Sequence, residues 1–256
     1  MNESGVYSNE IPGSEVFSAQ RLKWRNKLAN SDSLRKQAVE LTIASDEYKY
    51  GYQWEWCGVP IIRHPDDIVL QQEIMWAMKP SKVIETGIAR GGSVVLSSSL
   101  LDLASKDGAV LGLDIQILPH TFEALDPWTS SGKIVLKECD TSTKNASEIV
   151  REFIGNGLSP VLLILDSNHT HDHVLAELLT LTPLLPRSSV VMVADTIIEE
   201  MPSDHYPDRP WGKGDNPLTA VNEFLKSNSN FSRDENWSRR SLMGEFRDGI
   251  LLKHGD

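Results

Sequence analysis

The chain has 256 residues, with 25 basic and 36 acidic side chains and a formal net charge of −11. That length suits one α/β domain with an added segment, or two small domains, and the acidity argues against a nucleic-acid partner, whose affinity would rest on neutralising phosphates. No apolar run approaches the roughly eighteen residues of a membrane span. The N-terminus lacks a basic region followed by an apolar stretch, and Cys57 and Cys139 stand apart without metal-type spacing, so a cytoplasmic location is expected.

Residues 1–19 are polar and read as poorly ordered, and from Gln20 to Ala44 the apolar positions Leu22, Trp24, Leu28, Leu34, Ala38, Leu41 and Ile43 follow a helical pattern. This N-terminal extension, residues 1–45, either packs on the core or pairs with another subunit; core packing is the simpler expectation, and a homo-oligomer is the expected assembly. The run Tyr48, Tyr50, Tyr52, Trp54, Trp56 alternates at period two and predicts an extended segment with one aromatic face, serving as a flap over the core or as a pocket wall. Pro65 with Asp66 and Asp67 opens a helix that stops before Pro80.

The stretch that organises the remainder is 82–93, Lys-Val-Ile-Glu-Thr-Gly-Ile-Ala-Arg-Gly-Gly-Ser. It reads as a strand ending at Glu85-Thr86, a tight loop with Gly87, Gly91 and Gly92, and a helix start at Ser93. At the carboxyl end of a strand in an open α/β sheet such a loop lets a nucleotide-like ligand approach the backbone. The glycine spacing is not that of a dinucleotide site. A carboxylate two residues before the first glycine suits a cationic amino group, such as that of S-adenosylmethionine, better than a pyrophosphate.

Beyond it, helix and strand alternate: a helix from Val94 to Ala104 closed by Lys106-Asp107-Gly108, then strands at Ala109–Asp114, Ile134–Leu136, Val161–Leu165 and Ser189–Ala194. Such alternation implies a mostly parallel sheet with right-handed crossovers. Glu85, Asp114, Asp166 and Asp195 all end strands and should converge on one cleft. Asp114 is placed to accept ribose hydroxyls, and Asp140 to reach an adenine amino group. Asp166 and Asp195 would repel each other unless a cation separates them, and hard oxygen ligands suit Mg²⁺.

Asp166 is followed by Ser-Asn-His-Thr-His-Asp-His. His169, His171, Asp172 and His173 resemble a zinc-hydrolase pattern with one residue missing, and with a helix starting near Asp172 the histidines diverge. His169, nearest the sheet edge, is the expected general base; His171 and His173 read as helix-start or surface residues. Residues 197–216 form a long loop, of the kind that serves as a lid or binding loop, with Tyr206, Arg209 and Trp211 favouring order. Asn216-Pro217 cap a helix, and 241–246 with 249–253 suggest a closing hairpin.

The Glu85-to-Ser93 loop, Tyr52-Gln53-Trp54, Asp166-Ser-Asn-His169, Val-Ala-Asp195-Thr196 and Asp208-Arg-Pro-Trp-Gly-Lys-Gly214 together resemble the cephalosporin hydroxylase/rhamnosyl O-methyltransferase family over about residues 45–253. The resemblance implies a Rossmann-like class I methyltransferase fold, a seven-stranded, mostly parallel α/β sheet with helices on both faces, over residues 46–256. It also implies S-adenosylmethionine as cofactor, held by Glu85, Thr86, Gly87, Gly91, Gly92, Ser93, Asp114 and Asp140, and Mg²⁺ at Asp166 and Asp195. Relatives can carry Glu-Asp where this chain has Ala194-Asp195, so one ligand is either missing or replaced by Thr196 or a nearby acid such as Glu199. The implied reaction is methyl transfer to a hydroxyl of a sugar or glycosylated metabolite, with Asp166 and His169 catalytic. The competing readings are a non-haem iron hydroxylase using His64 and Asp66, a zinc hydrolase, and a cofactor-binding scaffold without activity.

Overall fold

The computed structural model describes residues 15–105 and 108–255; the expectations for residues 1–14 and for the Lys106-Asp107 turn lie outside them. The N-terminal helical region is two helices, α1 (Glu15–Ala29) and α2 (Asp32–Asp46), broken at Asn30-Ser31. Core packing does not hold for α1. It buries no residue, Leu22 and Trp24 are 47% and 54% exposed, and Arg21 and Arg25 tie it to the rest through Glu73. By contrast α2 buries Ala38, Val39 and Thr42, with Val39 packed against Ile197 and Met201.

The aromatic run is only partly extended. Lys49 takes a left-handed φ of 52°, Tyr50–Tyr52 form a 3₁₀ turn, and the strand β1 (Trp54–Trp56) pairs antiparallel with β2 (Val59–Ile61) as a separate hairpin. Trp54 and Trp56 pack on the core while Tyr52 stays exposed, so the run supplies both a flap and a cavity wall.

The helix α3 (Pro65–Met78) leads into β3 (Lys82–Thr86), α4 (Gly92–Ala104), β4 (Ala109–Asp114), α5 (Pro119–Thr129), β5 (Ile134–Glu138), α6 (Lys144–Ile154), β6 (Val161–Leu165), α7 (His171–Leu181) and β7 (Val190–Val193). After the long loop come α8 (Pro217–Ser227), β8 (Phe231–Arg233), α9 (Glu235–Ser238) and β9 (Ile250–Lys253). The sheet order is β5-β4-β3-β6-β7-β9-β8, parallel except where β9 pairs with β7 and β8. The expected closing hairpin is therefore corrected: β9 pairs with Phe231–Arg233. Segment 241–246 is instead drawn to α3, where the Asp66 and Asp67 carboxylates accept from the N–H groups of Leu242, Met243 and Glu245.

Side-chain alternation divides the core in two. Val83, Val110, Leu162 and Ile164 pack against α3, α4 and α5, and Ile84, Leu111, Leu163 and Leu165 against α6, α7 and α8. The central β6 is buried at every position, as a strand covered on both faces must be. Strand order reverses at β3, so the crevice of this topology opens beyond the carboxyl ends of β3 and β6. No helix among the described residues is long and apolar enough to cross a membrane.

At that crevice Gly87 leaves β3 with φ +77°, and a Cβ there would lie 2.0 Å from the carbonyl oxygen of Asp166. The two strand ends touch because position 87 has no side chain. Gly87→Ala is expected to destabilise the fold by about 2 kcal/mol or more, from left-handed backbone strain and the clash, read as a lowered midpoint in thermal unfolding; an unchanged midpoint would refute this packing.

Candidate active site

Two cavities that share Gly87, Ala89, Asp166 and Ser167 occupy the crevice. The larger, about 480 Å³, lies among Gly87–Ser93, Asp166, His169, Asp195, the Tyr206–Trp211 loop and Glu245. The other, about 360 Å³, follows Gly87, Asp114, Asp140, Thr141, Ser167 and His173. Gly91 and Gly92 stand at the start of α4, where a Cβ on Gly92 would meet the Pro60 carbonyl at 2.4 Å, so the helix N-terminus sits hard against the β1–β2 hairpin.

Of the residues expected to bind cofactor, Gly87, Gly91, Gly92 and Ser93 line the larger cavity and Asp114 and Asp140 the smaller. The Asp114 carboxylate also braces the glycine loop, accepting from the N–H of Ile88 at 2.9 Å. Asp140 accepts from the hydroxyl and N–H of Ser142, which hold its pKa below the ordinary carboxylate range. Glu85 and Thr86 are fully buried and line neither cavity. Glu85, expected to suit a cationic amino group, thus presents no carboxylate oxygen to either cavity. Its oxygens lie one layer below the wall, and its counter-charge is internal.

That counter-charge is Arg63, completely buried just beyond β2. Its guanidinium stands 3.6 Å from Glu85 Oε1 and 3.2 Å from Asp166 Oδ2, donates to Gln71 Oε1 at 2.7 Å and lies over the Phe246 ring. Neither Glu85 oxygen has a hydrogen-bond partner, the Ser93 hydroxyl lying close without bonding geometry; burial raises the Glu85 pKa, opposed by Arg63 and Ser93. Burial likewise raises Asp166, against Arg63, while Asp195 pushes it further up. Glu245 and Asp67 are raised for the same first reason. His64, 3.7 Å from Glu245, has its pKa shifted down by burial. The floor of the site therefore carries more carboxylates than Arg63 alone balances.

Asp166, His169 and Asp195 each offer one ligand atom, and these atoms lie within 4.8 Å of one another; among the described residues they form the group able to hold a metal ion. Two carboxylates and an imidazole beside an acidic floor fit a divalent cation. The His169 Nε2 is 3.3 Å from Asp195 Oδ2, and its ring meets Trp211 edge-on at 4.8 Å. The expectation for Thr196 is corrected: its buried hydroxyl donates to the carbonyls of Glu245 and Arg247 and clamps the C-terminal segment. Glu199 is equally committed, accepting from Gly214 N–H and Asn216 Nδ2 to order the long loop.

The histidine run diverges as its spacing requires. His171 turns to Thr219 and Glu223, and His173 to Thr141, Ser167 and Glu177. His173 stands in the first turn of α7, a helix-start residue as expected, and also lines the smaller cavity. Asp66 accepts from three donors of the 241–243 segment, which removes it from any iron site with His64.

Comparison with known proteins decides the family. The model of the rhamnosyl O-methyltransferase/CmcI family matches residues 48–254. The chain belongs to that family. A rhamnosyl O-methyltransferase of Mycobacterium tuberculosis is 29% identical over 189 residues, 71% of this chain and 73% of that protein. The one from Mycobacterium leprae is 28% identical over 167 residues, 63% and 71% of the two chains. Among solved structures, CmcI with Mg and SAM aligns with a TM-score of 0.55 at 18% identity over 80% of this chain and 78% of that one. The O-methyltransferase TomG from Streptomyces achromogenes aligns at 0.51 and 14% identity, over 96% and 100%. The sheet is thus that of class I methyltransferases, as expected.

Within this rhamnosyl O-methyltransferase/CmcI chain, sequence reasoning missed Arg63 and Glu245. A lone arginine closing the apolar Val59–Ile62 run was a signal for Arg63, because a charge in such a place needs buried partners. Nothing local marks Glu245. Arg63→Met is expected to destabilise the protein by about 3–5 kcal/mol, because it strands buried carboxylates. Adding Glu85→Gln should recover part of that loss in denaturant unfolding; no recovery would show that Glu85 is not the charge Arg63 balances.

Proposed function

We propose that this S-adenosylmethionine-dependent O-methyltransferase methylates a hydroxyl of a sugar or glycosylated small molecule, with His169 as general base and Mg²⁺ held by Asp166 and Asp195. The observation that carries the reading is the meeting of Asp166, His169 and Asp195 on the same cavity as the glycine loop. The names of the mycobacterial relatives support a sugar acceptor. So does the cavity lining, which includes the aromatic side chains Tyr52 and Trp211. The apolar residues left exposed on α1 and α3, including Trp24, Val69 and Trp76, favour assembly of several copies.

The smaller cavity takes the nucleoside, with Asp114 toward the ribose and Asp140 toward the base, and the glycine loop admits the methionine portion beside Ser93. The acceptor oxygen bonds to the methyl carbon as the carbon–sulfur bond breaks, and the hydroxyl proton passes to His169. When bound, the divalent cation supplies a Lewis acid that lowers the pKa of the acceptor hydroxyl. Asp195 beside Nε2 and Trp211 against the ring edge hold the imidazole in place, so the chain contributes alignment as well as a base.

His169→Ala is expected to lower turnover by about 10²–10⁴-fold while calorimetric binding of S-adenosylmethionine and of Mg²⁺ stays within a few-fold of the native values. Asp166→Asn and Asp195→Asn should instead lose the metal. Loss of Mg²⁺ binding in His169→Ala equal to that in the aspartate variants would make His169 a ligand, and the assignment of base would fall.

The acid cluster also sets a pH dependence. Carboxyls with raised pKa values, Asp67 to about 7 and Asp166 and Glu245 also upward, bind more protons folded than unfolded. Stability from these groups therefore falls as pH rises from the ordinary carboxylate range, about 4, through the raised values. The metal-stripped protein should melt lower at pH 8 than at pH 6, and Mg²⁺ should raise the midpoint more at pH 8. The opposite trend with Mg²⁺ would contradict cation binding to these carboxylates.

A further inference from the structure

A polar network beside the smaller cavity has no part in the proton transfer. Glu177 on α7 is completely buried among the inward positions Val174, Leu178 and Leu181, where an apolar residue would pack without penalty. Its Oε1 accepts the Ser167 hydroxyl at 2.7 Å, and its Oε2 has no partner. His173, one turn earlier on the same helix, places Nε2 3.1 Å from Ser167 Oγ, 3.2 Å from Thr141 Oγ1 and 3.5 Å from Glu177 Oε1.

The hydrogens of this network can be counted. Ser167 has a single hydroxyl hydrogen and gives it to Glu177, so toward His173 its oxygen can only accept. The His173 Nε2 must therefore carry the hydrogen between them. Nδ1 is the ring nitrogen left for a ligand, and the ring lines the cavity with Asp140 and Asp114. Glu177 favours the imidazolium, shifting the His173 pKa up against the opposing effect of burial, with Asp140 adding to it. In that state Nδ1 is a donor. A donor beside the Asp140 carboxylate, an acceptor, complements the ring nitrogen N1 and the amino group of adenine, which are an acceptor and a donor side by side.

We propose that His173, oriented by Glu177 through Ser167, is a positioning residue for the methyl donor, donating from Nδ1 to adenine N1 while Asp140 accepts from the adjacent amino group. This rests on the reading of the smaller cavity as the nucleoside site. It explains why a fully buried carboxylate stands on a helix that needs only apolar contacts there.

The test is calorimetric titration of the full chain with S-adenosylhomocysteine and with its 1-deaza-adenine analogue, which lacks N1 and keeps the amino group. The native protein should bind the analogue about tenfold more weakly, the size of one hydrogen bond to a charged donor. His173→Phe, which keeps a planar ring without nitrogens, should weaken S-adenosylhomocysteine about tenfold and bind the two ligands alike. Ser167→Ala, a smaller change that frees the imidazole, should narrow the gap between them and serves if the phenylalanine variant does not fold. Turnover at saturating donor should fall far less than the donor KM rises. Equal native affinity for the two ligands, or an undiminished gap in the folded variants, would overturn the proposal. Failure of the native protein to bind S-adenosylhomocysteine at all would instead overturn the reading of the cavity.

Discussion

The Arg63 guanidinium, enclosed between Glu85 and Asp166, is the interaction on which the site depends. It holds together elements that approach from different parts of the chain: the β1–β2 hairpin that delivers it, the end of β3 and the end of β6. A buried arginine is tolerable only with partners, and these carboxylates are tolerable at the base of a cavity only with a cation behind them. Fixed in this way, Asp166 borders the cavity while Glu85 lies one layer beneath its wall. The contact of Gly87 with the Asp166 carbonyl then sets the distance between the glycine loop and the acid cluster.

Around that centre the chain closes the cavity from three sides. The loop after β7 is ordered by Glu199 and by the capping box of Asn216 and Thr219, and it carries Trp211 against His169. Arg35 on α2 pairs with Glu200 and Asp248, joining the N-terminal extension to both the loop and the C-terminal segment. Asp67 and Thr196 grip the backbone of Glu245 from opposite sides. The result is an acidic floor with aromatic walls, a setting in which a divalent cation and a hydroxyl-rich acceptor both find partners.

Much of this was legible in the sequence because its signals are local. The uninterrupted apolar run at 161–165, the glycine loop at 87–92 and the proline-led starts of α3 and α8 each follow from short-range rules, and the structure places them as those rules require; of the acids at strand ends, Asp114, Asp166 and Asp195 line the cavities and Glu85 does not. The failures share a physical origin. The hydrophobic residues of α1 look like core positions but face outward, because a periodic pattern records amphipathicity and not what covers it. Ile250–Lys253 form a strand close to the expected span, yet their partner is chosen by tertiary competition: the Asp66 and Asp67 carboxylates take the N–H groups of Leu242, Met243 and Glu245, and Phe231–Arg233 pairs instead. Glu85 and Thr196 lie beneath the cavity surface, since a position at a strand end does not say whether a side chain faces the cavity or the layer beneath it. Arg63 meets Glu85 and Asp166 across separate strands, and Glu177 meets Ser167 from outside its own helix; helical spacing describes only the His173–Glu177 pair.

The most direct measurement of whether methyl donor and cation meet at the two cavities is calorimetric titration of metal-stripped protein with S-adenosylmethionine, with and without Mg²⁺. The structure predicts micromolar binding of the donor and a separate Mg²⁺ site that disappears in Asp166→Asn. Absence of donor binding under both conditions would contradict the assignment of the glycine loop, and with it the functional reading of the site.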